Sequence, residues 1–202
     1  PDLFLCDDCL MELGDEEDRR YRYYFMTCTN CGPRFSMTRS SPYDRKNTAM
    51  DEFPMCEECG KEYVRPASRR YHAQTIACPQ CGPKLTLTVD AERVLGSDEQ
   101  LVERTADLIR QGRVVAIKGV GGFHLCASLA AVARLRELTQ RPDKPLAVMC
   151  RHLPMVQKYC RVNAVEEREL SSPARPIVIL RKKEELPVSE LDSVGVMLPY
   201  TA

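Results

Sequence analysis

Apolar and polar positions are patterned most clearly in the second half of this chain. From about residue 90 onward, short apolar runs alternate with stretches of helical spacing. Ser97-Asp98-Glu99-Gln100 has the form of a capping box. Leu101, Ala106, Leu108 and Ile109 extend it as an amphipathic helix that ends at Gly112. Val114-Val115-Ala116-Ile117 reads as a buried strand, Leu129 to Leu138 as a helix, and Leu146-Ala147-Val148-Met149 as a strand. Val165 to Leu170 reads as a short helix, and Ile177 to Leu180 and Val194 to Leu198 as further strands. This alternation predicts an α/β domain with a largely buried sheet. The composition shift divides the chain into residues 1–90 and 91–202.

Cysteine organises the first half. Four Cys-x-x-Cys pairs stand at Cys6/Cys9, Cys28/Cys31, Cys56/Cys59 and Cys78/Cys81. Within each module 18 residues separate the pairs, and 24 residues separate the modules. Arg19-Arg20-Tyr21 returns as Arg69-Arg70-Tyr71, and Cys31-Gly32-Pro33 as Cys81-Gly82-Pro83. Each repeat lies 50 residues after its original, so the region is an internal duplication. Two residues between two cysteines let a tight turn aim both sulfurs at one point, and two such turns supply a tetrahedron of thiolates. Gly32 and Gly82 follow the second turn, where a positive φ is expected. Four protein ligands leave no open position, so the expected ions are two structural Zn2+. Iron in a rubredoxin-like site would take the same ligands. The pairs can combine sequentially, or the first with the fourth and the second with the third; spacing leaves both open. Each module has few large apolar residues and needs its metal to fold.

Composition narrows the function classes. Acidic and basic side chains balance at 29 each, which disfavours nucleic acid as a partner. No apolar run is long enough to cross a bilayer, and no signal peptide is visible. Eight of eleven cysteines fall in metal-type pairs, which predicts a reduced, cytoplasmic protein; Cys126, Cys150 and Cys160 are scattered. The chain opens on Pro1 and stops at Ala202 after an apolar run, as a piece of a longer protein would. The run Arg19-Arg20-Tyr21-Arg22-Tyr23-Tyr24-Phe25 suits base stacking. It reads better as a hairpin strand with alternating faces, its charge offset by Asp15 to Asp18. His72 is expected to pack or hydrogen-bond rather than ligate.

Candidate anion-binding chemistry lies downstream. Lys118-Gly119-Val120-Gly121-Gly122 offers a lysine and exposed backbone N–H groups, without the Gly-Lys-Ser/Thr ending of a Walker loop. Arg141-Pro142-Asp143-Lys144-Pro145 and Ser171-Ser172-Pro173-Ala174-Arg175-Pro176 are stiff basic loops before strands. Three such loops could converge on a phosphate-bearing ligand at strand ends, or simply be solvated.

These residues together resemble the HypF family, the carbamoyltransferases of nickel–iron hydrogenase maturation. The paired modules resemble its zinc-finger region. Lys118 to Leu125, Arg141 to Met149, Ser172 to Val178 and Gly195 to Thr201 resemble its YrdC-like domain. The implied fold is a small metal-bound domain of two four-cysteine zinc-finger modules followed by a truncated α/β YrdC-like domain with a twisted mixed sheet. The implied substrates are ATP and carbamoyl phosphate, with Mg2+ alongside ATP. Carbamate would be joined to AMP, and the carbamoyl group passed to the C-terminal cysteine of the partner HypE. Lys118, Arg141, Lys144 and Arg175 would contact phosphate or carbamate. Thr139 stands two positions before Arg141, where YrdC-like proteins carry a lysine, and the chain stops before their Ser-x-Asn element. A piece of this kind would not complete the reaction alone. The alternatives are a zinc-bearing module that binds protein or RNA, and a threonylcarbamoyl-adenylate synthase.

Overall fold

Both halves of the duplication fold alike because a helix begins at the first cysteine of each. In the computed structural model, which describes residues 2–201, α1 (Asp7–Gly14) follows Cys6 and α2 (Glu57–Val64) follows Cys56. Each opens on two acids, Asp7-Asp8 or Glu57-Glu58, which suit the positive end of the helix dipole. Each carries a buried cysteine, Cys9 or Cys59, in its first turn. The turn expected at these pairs is therefore a turn of helix, which brings positions three apart onto one face. The other pair of each module sits on a non-helical turn; in the second module the N–H of Gly82 donates to Cys78 O at 2.9 Å.

The basic-aromatic run is not the expected hairpin strand. It is a series of turns, with N–H to O bonds from Tyr21 to Asp18, Tyr23 to Arg20 and Met26 to Tyr23. Arg22 and its repeat His72 take left-handed φ values of 53° and 54°. Their N–H groups donate to Leu13 O and Tyr63 O, folding the run back onto α1 and α2. Arg20 and Tyr23 are buried, and the exposed Arg22 stacks on Tyr21 of the same run, 5.0 Å from its ring. His72 packs against the rings of Tyr63 and Tyr71 and is no ligand.

The two expected roles of glycine divide. Gly32 has φ +88° and leaves no room beside Thr27. Gly82 has no positive φ; a Cβ there would sit 2.0 Å from Tyr23 Oη. The second glycine is thus demanded by the first module's tyrosine rather than by its own backbone.

The chain forms two compact units, one running to Glu99 and including Tyr200 and Thr201, the other Gln100–Pro199. In the first, β1 (Leu87–Val89) and β2 (Glu92–Val94) form a hairpin whose turn residues, Asp90 and Ala91, both have positive φ, 50° and 69°. α3 (Asp98–Arg110) leads into the second unit and ends before Gly112, whose φ is +79°. β3 (Val115–Gly119) and β4 (Gly122–Cys126) form an antiparallel hairpin. α4 (Val132–Thr139), β5 (Val148–Met149), α5 (Leu153–Tyr159), α6 (Ala164–Ser171), β6 (Val178–Arg181) and β7 (Ser193–Met197) follow. Asn163 and Glu166 close a full capping box on α6. The sheet order is β5-β7-β6, parallel between β5 and β7 and antiparallel between β6 and β7, hence mixed.

The expectation of a largely buried sheet holds for one face only. Leu180, Val194 and Val196 pack with Val156 of α5 and Leu170 of α6. Ile177, Ile179 and Met149 alternate onto the other face and are exposed. β3, expected to be buried, is mostly exposed, because its described hydrogen-bonded partner is β4 and not the three-stranded sheet. Among the described residues no helix is long and apolar enough to cross a membrane.

The β1–β2 turn places an alanine where glycine is preferred. Ala91→Gly keeps the two-residue turn and removes the left-handed Cβ clash, so it should raise unfolding stability by up to about 1 kcal/mol. A thermal melt that moves down would contradict this account of the turn.

Candidate functional site

Cys6, Cys9, Cys28 and Cys31 bring their sulfurs together, and so do Cys56, Cys59, Cys78 and Cys81. The pairing left open by spacing is therefore sequential. Sγ separations are 3.6 Å for Cys6–Cys28 and Cys28–Cys31, and 3.6–3.7 Å across Cys56, Cys59, Cys78 and Cys81. A tetrahedron with metal–sulfur bonds of about 2.3 Å has edges of about 3.8 Å, so each cluster fits one ion. A disulfide would need about 2.05 Å, and all eleven cysteines are free. At this range the thiols oppose one another's ionisation. Hydrogen bonds with Cys28 and Cys31 push Cys9 far up, while bonds with Cys31 and Cys9 hold Cys28 far down. A dication removes that conflict by holding all four as thiolates.

Outside the thiolates, each cluster is lined by the other module. Arg19 donates Nη2 to Cys59 Sγ at 3.2 Å and to Cys56 Sγ at 3.6 Å. Arg20, 1% exposed, reaches Cys59 Sγ at 3.5 Å, Glu62 Oε1 at 3.1 Å and Ala77 O at 2.9 Å. The repeat does the reverse. Arg69 reaches Cys6 and Cys9 at 3.8 Å and Glu12 at 2.6 Å. Arg70 reaches Cys9 at 3.8 Å, pairs with Glu12, and donates Nε to Thr27 O at 2.9 Å. Burial works against the charge on Arg19 and Arg69, but hydrogen bonds to Cys59 and to Glu12 raise both pKa values. Burial likewise opposes ionisation of Glu12 and Glu62, yet their arginine partners hold both below the usual carboxylate range. Glu12 and Glu62 lie 50 residues apart, in step with the cysteines, and that recurrence is the sequence signal that marks them.

Two further arginines hold the non-helical turns. Arg34 donates to Cys31 O, Pro33 O and Cys28 O at 2.6–3.1 Å. Arg45 donates to Gln74 O, Ile76 O and Phe53 O at 2.6–2.8 Å. Arg45 has no counterpart in the repeat, so nothing in the spacing pointed to it.

The downstream cations lie on three segments of the second unit. Lys118 is on β3, opposite Phe123, with Nζ 5.8 Å from that ring. The Lys-Gly-x-Gly-Gly element is the β3–β4 hairpin turn. Arg141 and Lys144 are exposed on the loop between α4 and β5. Arg136, which sequence reasoning passed over, donates to Arg141 O, Lys144 O and Val188 O and fixes that loop. Thr139 bonds back to Leu135 O within α4. Arg175 precedes β6, has φ +47°, and donates to Leu170 O; burial lowers its pKa. Because β5 and β6 run in opposite senses beside β7, the Arg141–Lys144 and Arg175 loops enter the sheet from opposite ends. Both strands nonetheless begin beside the same residue of β7, Val196.

Paired four-cysteine modules followed by a mixed α/β sheet define a zinc-finger and YrdC-like protein. Residues 5–38 and 55–88 match the family described as HypF finger, and residues 107–202 match the Sua5/YciO/YrdC family, described as Telomere recombination. Carbamoyltransferase HypF of Synechocystis sp. is 49% identical over 209 aligned residues, covering 100% of this chain and 27% of that protein. Probable carbamoyltransferase HypF of Methanocaldococcus jannaschii is 46% identical, covering 99% and 27%. Among solved structures, full-length HypF in the phosphate- and nucleotide-bound form matches with TM-score 0.91 at 49% identity. T. kodakarensis HypF matches with TM-score 0.93 at 47% identity; each structure covers 100% of this chain, which covers 27% of each. The chain belongs to the HypF family and spans about a quarter of the length of these relatives. Its two cysteine clusters are the structural zinc sites of the HypF fingers.

Since metal binding supplies roughly 10–16 kcal/mol in such modules, stripping zinc with a strong chelator should unfold the first unit. Circular dichroism that keeps α1 and α2 intact after demetallation would contradict this. Acidification should act in the same direction. Glu12 and Glu62 have folded pKa values below their unfolded ones. Their contribution is therefore complete above about pH 4.3 and lost as pH falls through the folded values. The double variant E12Q/E62Q should be less stable at pH 7 and show a shallower loss towards pH 3.

Proposed function

We propose that this chain is the zinc-finger and YrdC-like portion of a carbamoyltransferase that serves hydrogenase maturation. The reading rests on one observation above all: both domain types match HypF in the same order across the whole chain. The proposed domain division is 1–90 and 91–202, the substrates are ATP and carbamoyl phosphate with Mg2+, the partner is HypE, and the compartment is the cytoplasm. In the proposed step a carbamate oxygen attacks the α-phosphorus of ATP. The bond to the β-phosphate oxygen breaks, giving carbamoyl-adenylate and pyrophosphate.

Both reactants are anions, so cations must neutralise and align them. Lys118, Arg141, Lys144 and Arg175 are the proposed groups. Arg136 would act through the loop it ties rather than on substrate. The portion alone is proposed not to transfer carbamoyl groups, since its relatives are nearly four times as long.

The intact parent protein, given labelled pyrophosphate and ATP, should exchange label only when carbamoyl phosphate is present. Exchange supported by threonine plus bicarbonate instead would assign the chain to threonylcarbamoyl-adenylate synthesis and overturn the proposal. Within the parent, R141A and K144A should each lower exchange on the order of 10²-fold, with zinc content unchanged.

A further inference from the structure

The duplication has crossed its connections. All the N–H to sulfur bonds donated by Arg19 and Arg20 end on Cys56 and Cys59, and those donated by Arg69 and Arg70 end on Cys6 and Cys9. The backbone repeats the exchange, Arg20 Nε to Ala77 O and Arg70 Nε to Thr27 O, each 2.9 Å. The apolar packing crosses too, because Ala77 of the second module lies in the cluster of Leu5, Tyr23 and Met26. Each arginine pair therefore leaves its own module between the two cysteine pairs and reaches the partner module's helical cysteines.

The charges explain why this matters. One Zn2+ with four thiolates carries a net charge of −2, and Cys9, Cys28, Cys31, Cys59 and Cys78 are almost fully buried. Such a charge is costly unless opposed nearby. Two guanidiniums per cluster supply the opposing charge, and N–H to thiolate bonds are of the strong, charge-assisted kind. Glu12 and Glu62 orient the arginines from the same helices that carry Cys9 and Cys59. Neither cluster finds this pair in its own module.

We infer that the two zinc sites form one cooperative binding unit, in which each module's arginine pair holds the metal of the other. Losing metal from one site disorders the turn that carries the arginines for its partner, so the second ion is released faster than the first. Arg19, Arg20, Arg69 and Arg70 are positioning residues for metal and are not ligands.

The test is crossed zinc release from the intact 202-residue chain. Zinc is withdrawn by a chromogenic chelator, and newly exposed thiols are trapped by alkylation and located by mass spectrometry. Arg69→Gln, at a side chain 31% exposed, should speed release from Cys6, Cys9, Cys28 and Cys31 on the order of tenfold. Arg19→Gln should do the same at Cys56, Cys59, Cys78 and Cys81. Cobalt substitution gives a second readout, since each variant should still bind two ions with tetrahedral absorption. C78S/C81S should then lower cobalt affinity at the first site. Release that begins at the variant's own module, no acceleration at either, or an unchanged cobalt affinity at the first site of C78S/C81S would each overturn the inference.

Discussion

The first unit depends on the confinement of two dianionic metal–thiolate clusters in a region with little apolar mass. Its packed residues are few, and cysteines make up much of both small cores. A cluster of four thiolates at 3.6–3.7 Å is untenable without a cation at the centre and further cations outside. The other features of the unit follow from that demand. Helices begin at Cys6 and Cys56, so that thiolates and acids share a positive helix end. Buried arginines, rare in ordinary cores, are here the natural packing against the clusters.

The second unit solves a different problem. Its sheet of three strands is covered on one face by α5 and α6 and carries its cations on the connecting segments. The Arg141–Lys144 loop is stiffened by prolines and by three carbonyls accepting from one guanidinium. A loop restrained in this way holds fixed the backbone from which its exposed cations project.

The ligand sets were readable from the chain because a metal site needs fixed residue types at fixed spacing, and a 50-residue repeat states that spacing twice. α3, α4 and α6 were readable for the ordinary reason that apolar residues such as Leu101, Leu108, Val132 and Leu135 recur at helical intervals, whereas α5, only seven residues long, was not. Other features were hidden. α1 and α2 carry too few apolar positions to show a period, since they are held by cysteine rather than by a greasy stripe. The run from Arg19 to Phe25 imitates an alternating strand, but its side chains are sorted by which module they reach. Burial in β3, β6 and Met149 depends on what lies over the sheet, and an apolar run cannot report which of its faces is covered. Gly82 conforms to a glycine rule for a reason outside it, the hydroxyl of Tyr23.

The crossed arginines also impose an order in time. A ribosome releases the four cysteines of the first cluster well before Arg69 and Arg70. During that interval the nascent first module lacks both its counter-charge and the packing contributed by Ala77. Its thiolates are then at their most open to oxidation or to capture of a competing metal. The amino-terminal cluster is therefore the vulnerable one during synthesis, although the two are near copies once the chain is complete.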